Sequence, residues 1–101
     1  MGKETKKKFY HATDFRNLNS IINEGIKPSC DGVVYLAETI EDARKFVALR
    51  FYKEVLVVEV ELEESKVEET FDHNQAFFKC RAFGCSETIQ LDSMVIFWKF
   101  F

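Results

Sequence analysis

Val55-Leu56-Val57-Val58-Glu59-Val60-Glu61-Leu62-Glu63 decides the fold. Leu56, Val58, Val60 and Leu62 alternate with Val57, Glu59, Glu61 and Glu63. A period of two fits a strand with one apolar face and one mostly acidic face. Upstream the period changes. Phe15, Leu18, Ile21 and Ile22 share a helical face behind Asp14, whose carboxylate can cap the first turn, and Gly25 offers a left-handed stop. Thr39-Ile40-Glu41-Asp42 resembles a capping box, and Ala43, Phe46, Val47 and Arg50 then share a face, which predicts a helix to about Phe51.

Short strands flank these helices. Lys8-Phe9-Tyr10-His11-Ala12-Thr13 reads as one, and Gly32-Val33-Val34-Tyr35-Leu36-Ala37 as another, apolar enough to be buried on both faces. Beyond Glu63 a weaker strand is expected near Val67 to Phe71, and residues 72–86, with Gly84, read as an irregular aromatic loop. Glu87-Thr88-Ile89-Gln90-Leu91 is predicted as a strand, Asp92-Ser93 as a turn, and Met94 to Phe101 as a closing strand. Helices confined to the first half and strands crowding the second predict an α+β domain.

The 101 residues leave room for one core only. Eleven Phe against a single Pro predict a ring-filled interior. Residues 1–8, with Lys3, Lys6, Lys7 and Lys8, are expected to be a flexible basic tail, and residues 9–101 the folded domain. A net charge of −3 argues against broad electrostatic attraction to nucleic acid. Three cysteines, Cys30, Cys80 and Cys85, with no secretory leader predict a reduced, cytoplasmic setting, and no apolar run suffices for a membrane span. Cys80, Cys85 and His73 match no usual zinc spacing, so no metal is expected.

Three polar side chains occupy strand positions where a plain core would take apolar ones: His11, Tyr35 and Glu87. Singly, each has an ordinary structural explanation. There is no glycine-rich dinucleotide turn and no phosphate-cradling loop, so a nucleotide would have to bind without the Rossmann device.

The surrounding sequence carries more. Tyr10-His11-Ala12-Thr13, then Asn17-Leu18-Asn19-Ser20-Ile21-Ile22 and Glu24-Gly25-Ile26, resembles the opening of ADP-ribosyltransferases. Gly32 to Glu38, followed by a helix containing Ala43, resembles that family's second block, and Ser86-Glu87-Thr88-Ile89-Gln90-Leu91-Asp92 its third. The resemblance runs from Phe9 to the C-terminus and follows the His-Tyr-Glu branch of diphtheria-type toxins and poly-ADP-ribose polymerases.

The resemblance implies split antiparallel β-sheets with two helices in the N-terminal half, and NAD+ as co-substrate. Glu87 would stabilise the positive charge that develops on the ribose as nicotinamide leaves, as a carboxylate does in glycoside hydrolysis. His11 would bond a ribose hydroxyl, the backbone of Ala12 would grip the carboxamide, and Thr13 would line the site. Tyr35 would stack on the nicotinamide and Phe46 would supply the opposite wall. Phe77, Phe78, Phe83 and Cys85 would belong to the loop that selects the acceptor.

Two departures bear on turnover: Ala12 stands where the family usually has glycine, and Asp42 or Ala43 falls where a serine often contacts the carboxamide. Cys85 occupies the position of the second glutamate of arginine-specific members, which disfavours arginine as acceptor. The expected activity is mono-ADP-ribosyl transfer to a macromolecule, protein or nucleic acid. The alternatives are a non-catalytic module that binds NAD+, ADP-ribose or a protein, and an RNA 2′-phosphotransferase. Tyr35 and Glu87 count against the last, which uses histidine in the second block and needs no late glutamate.

Overall fold

The Val55–Glu63 repeat forms the middle strand of a sheet whose two neighbours lie at opposite ends of the chain. In the computed structural model, which describes residues 5–28, 32–70 and 82–101, this strand, β3 (Val55–Glu63), lies between β1 (Lys6–Asp14) and β6 (Met94–Phe100). A second sheet has the order β2 (Val34–Leu36), β5 (Ala82–Cys85), β4 (Glu68–Thr70). All pairings are antiparallel. Helices α1 (Leu18–Glu24) and α2 (Ile40–Phe46) both fall in the first half of the chain. The protein is a small α+β domain of two helices and two antiparallel sheets.

The alternation of β3 sorts the interior into two clusters. Leu56, Val58, Val60 and Leu62 pack with Phe9, Ile21, Leu36 and Phe83, and so join the first sheet to α1 and to the second sheet. Full burial of each such aliphatic side chain contributes roughly 1.5–3 kcal/mol. The Phe9 and Phe83 rings, with centroids 5.4 Å apart, bridge the sheets. On the opposite face Val57 is buried with Ala37 and Ala43, beneath α2.

The caps form where their sequences predict. The Asp14 carboxylate accepts the Arg16 amide at 3.0 Å, although it opens a 3-10 turn (Phe15–Asn17) that precedes α1. The Thr39 hydroxyl accepts the Asp42 amide at 3.1 Å. Helix α2 ends at Phe46 rather than near Phe51, and a separate 3-10 turn (Ala48–Arg50) follows it. That turn closes on Phe51 in the left-handed region, φ 54° and ψ 41°.

Three expectations are corrected. Lys6, Lys7 and Lys8 are strand residues, not tail, because each meets acidic groups: Lys6 opposes Glu63, Lys7 pairs with Glu38 at 2.8 Å, and Lys8 opposes Glu61 with its ammonium 3.7 Å from Glu59. Glu59, on the mostly acidic face of β3, is buried at 5% exposed. One of its oxygens accepts the Tyr10 hydroxyl at 3.2 Å, while the other has no hydrogen-bond partner among the described residues. Burial, and then the hydrogen bond to Glu59, raises the Tyr10 pKa above its ordinary value.

Phe83 and Cys85 lie on β5 and are buried in the core, so they are not part of an acceptor-selecting loop. Across the ladder they pair with Leu36 and Val34. Finally, Glu87–Leu91 is not a strand: only an isolated bridge, Ile26 to Ile89, forms there. Gly25 makes that bridge possible, since at its φ of 82° a Cβ would meet the Ile89 carbonyl oxygen at 2.6 Å. Phe77, Phe78, His73, Cys30 and Cys80 lie outside the described residues. Among the described residues no helix is long and apolar enough to cross a membrane.

Candidate functional site

Among the described residues, the backbones of the two sheets are joined at one pair. Tyr10 and Ala37 exchange backbone hydrogen bonds of 2.8 and 2.9 Å. In an antiparallel ladder, alternate residues turn their amide and carbonyl groups to opposite edges. Tyr10 therefore turns its own away from β3 and toward β2, and Ala12, two residues on, does the same. Continued pairing would bring Tyr35 opposite Ala12. Instead β1 and β2 part, and the His11 ring spans the opening, its Nδ1 3.0 Å from the Tyr35 carbonyl oxygen.

A carbonyl oxygen can only accept, so the neutral imidazole carries its proton on Nδ1 and leaves Nε2 as an acceptor. Burial lowers the His11 pKa, and the hydrogen bond to Tyr35, which favours the charged ring, offsets this only in part. The unprotonated ring is thus the form the fold prefers.

The opening is a hollow of about 280 Å³ lined by His11, Ala12, Thr13, Tyr35, Phe46 and, among others, Lys27, Arg50 and Tyr52. Five of the residues singled out from the sequence therefore meet in one place. Among the described residues no carboxylate lines it. Lys27 is engaged by Glu24, whereas the Arg50 guanidinium has no ion-pair partner among the described residues. Thr13 accepts the Asn17 amide through its hydroxyl at 2.8 Å, which ties β1 to the start of α1.

Glu87 is elsewhere. It lies two residues beyond β5, with its side chain 66% exposed and a carboxylate oxygen 3.8 Å from the Lys66 ammonium. It lines a separate hollow, also of about 280 Å³, with Ser65, Lys66, Glu68, Gly84 and Ser86. The two hollows have no lining residue in common. They are nevertheless close neighbours in the fold, because Gly84 of the second is paired across the ladder with Tyr35 of the first. The buried Cys85 thiol reaches the Glu87 carbonyl at 3.6 Å and holds that backbone against β5.

Lys27, Arg50 and Tyr52 escaped the sequence reading as site residues. Arg50 had a legible signal, since it shares a helical phase with Phe46 and Val47. Lys27 and Tyr52 reach the hollow through chain reversals after Gly25 and Phe51, which no periodicity records. Neither a protein-family model nor a curated protein sequence matches the chain.

Proposed function

We propose that this domain binds NAD+ in the His11–Tyr35 hollow and transfers its ADP-ribose to a macromolecular acceptor, with release of nicotinamide. The observation that carries the reading is the convergence of His11, the Ala12 backbone, Tyr35 and Phe46 on one hollow beside Arg50, with no carboxylate lining it among the described residues. Each group has a use there. The outward amide and carbonyl of Ala12 present a donor and an acceptor in the pattern a carboxamide requires. Tyr35 and Phe46 offer flat apolar walls for a ring. Neutral His11 offers Nε2 to a ribose hydroxyl, and Lys27 opposes the charge of a pyrophosphate. The split pair of sheets and the two early helices agree with the ADP-ribosyltransferase arrangement that the sequence resembles.

In the reaction the bond from ribose C1′ to the nicotinamide nitrogen breaks, and the electron pair leaves with nicotinamide. An acceptor nucleophile then forms the new bond to C1′ and gives up its proton. Holding the dinucleotide bent, with C1′ exposed, is the larger part of what this hollow would supply. Glu87 would stabilise the charge on the ribose once freed from Lys66.

A second reading has its own support. Glu87, ion-paired and lining a different hollow, favours a module that binds NAD+ or ADP-ribose without catalysis. Calorimetric titration of NAD+ with nicotinamide release followed in the same sample separates the readings. Binding with release supports the transferase, and binding without release in the presence of candidate acceptors supports the module. Tyr35→Ala and His11→Ala should each weaken binding about tenfold or more. Absence of binding by the native chain overturns both.

A further inference from the structure

The hollow at His11 adjoins a larger one. Arg50 and Tyr52 line both, and the neighbour, about 520 Å³, is completed by Asp14, Arg16, Phe51, Lys53 and Glu54. Phe51 stands at its rim. It is the one non-glycine residue with positive φ among the described residues, and it is 85% exposed. A bulky side chain in the left-handed region is a genuine outlier, and a ring left in water gains nothing from the fold in return.

The charges around it are sorted. Arg16 is held by Asp14 at 2.9 Å, and Lys99 holds Glu54 at 2.9 Å, so both carboxylates of the larger hollow are already engaged. Arg50 and Lys53, which bracket Phe51 and Tyr52 in the chain, have no ion-pair partner among the described residues. An exposed ring between two unengaged cations has the two elements of single-strand recognition, a stacking platform for a base and charge for the flanking phosphates.

We infer that Arg50-Phe51-Tyr52-Lys53 is a binding surface for single-stranded nucleic acid, with an unpaired base stacked on Phe51 and the adjoining phosphates on Arg50 and Lys53. Its place beside the His11–Tyr35 hollow makes that strand the acceptor. This last step rests on the transferase reading, while binding itself does not. The protein's net charge of −3 adds no long-range attraction to a strand, so the local cations act alone. With about two cations engaged, affinity comes mainly from stacking, and log K falls with log salt at a slope of only about −1.4.

The test is fluorescence anisotropy of the full chain with labelled oligothymidylate, oligouridylate, a blunt DNA duplex and a polyglutamate peptide, all without NAD+. Binding of a single strand, weak binding of the duplex, and a loss of roughly five- to a hundredfold in Phe51→Ala are expected. Phe51→Trp should restore the affinity, and Lys53→Gln should flatten the salt slope by about 0.7. Preference between the two oligonucleotides assigns the acceptor to DNA or RNA. No single-strand binding, duplex binding of equal strength, preference for the peptide, or an unaltered Phe51→Ala affinity overturns the inference. Phe51 lies outside the His11–Tyr35 hollow. NAD+ titration of the same Phe51→Ala protein should therefore match the native chain, and failure of that titration in both would count against the NAD+ reading alone.

Discussion

The His11–Tyr35 hollow and the Lys66–Glu87 hollow have the same volume, about 280 Å³, and are linked by one pair of strands, yet they are built differently. The first is a product of register. Once Tyr10 and Ala37 are bonded, the ladder dictates which way Ala12 faces, and the His11–Tyr35 hydrogen bond sets how far the strands separate. The second is a product of chain reversal: Ser65 and Lys66 come from a 3-10 turn, and Ser86 and Glu87 from the bend after β5. Side chains fixed by a ladder are held by many bonds at once. Those on a bend are held by one or two and are the cheaper to move. A motif that spans both kinds of support can look continuous in sequence and still be divided in space.

Glu87→Gln should have the largest effect. If Glu87 swings from Lys66 to serve the first hollow, the substitution should cut nicotinamide release roughly a hundred- to a thousandfold. NAD+ affinity should stay within about twofold, since no binding contact is lost. Tyr35→Ala should show the opposite pattern, with affinity falling first. Steady-state release and calorimetry on the two variants measure both quantities. Undiminished release in Glu87→Gln would leave Glu87 as a surface residue and the second hollow as a separate feature.

The next largest effect concerns what ties the hollows together. Ile26 and Ile89 exchange hydrogen bonds of 2.8 and 2.9 Å, fastening the segment that carries Lys27 to the one that carries Glu87. Gly25 allows that approach, with φ 82° and ψ 178°, a conformation essentially reserved for glycine. Gly25→Ala should therefore destabilise the domain by about 2–4 kcal/mol, from backbone strain and from the collision with the Ile89 carbonyl. Thermal melting followed by circular dichroism should show a midpoint lowered by roughly 10 °C or more. An unchanged midpoint would mean that the Ile26–Ile89 bridge contributes little and that the hollows are coupled only through β2 and β5.

How much of this was legible in the sequence follows from the same distinction. The alternation of Val55–Glu63, the Asp14 and Thr39 caps and the stop at Gly25 are local patterns, and each appears in the fold. Glu59 defeated the pattern because alternation assigns a residue to a face and says nothing of what covers that face. Ala82–Cys85 escaped notice because four residues with a central glycine carry no period, and only pairing with Val34–Leu36 makes them a strand. His11 and Tyr35 could be picked out as misplaced polar residues on strands. The distance between them and Glu87 could not, since it depends on where β5 ends.

The first hollow also contains a titrating group, His11. The folded state holds the His11 pKa below its ordinary 6.5, so protonation favours the unfolded chain. The resulting stabilisation is complete above that ordinary value and is lost as pH falls through the lowered one. Below that point the charged ring also loses its Nε2 acceptor, so NAD+ affinity should decline over the same window. His11→Asn keeps an N–H where Nδ1–H now points at the Tyr35 carbonyl but cannot titrate. Calorimetry from neutral to mildly acidic pH should therefore show a decline for the native chain and a flatter profile for this variant. Matching profiles would move the pH dependence to another group.

The smallest effect lies in the second hollow. The Lys66 and Glu87 side chains are 50% and 66% exposed and their charges 3.8 Å apart, a separation and exposure at which water screens most of the attraction. Lys66→Met should change stability by no more than about 0.5 kcal/mol, measured by urea denaturation. Its value is in turnover. If the ion pair holds Glu87 away from the ribose, releasing it should raise nicotinamide release by about twofold, the scale on which so weak a tether can bias a two-position equilibrium. A lower rate would instead give Lys66 a supporting part in catalysis. An unchanged rate would leave the strands between the hollows, rather than the ion pair, as the barrier Glu87 must cross.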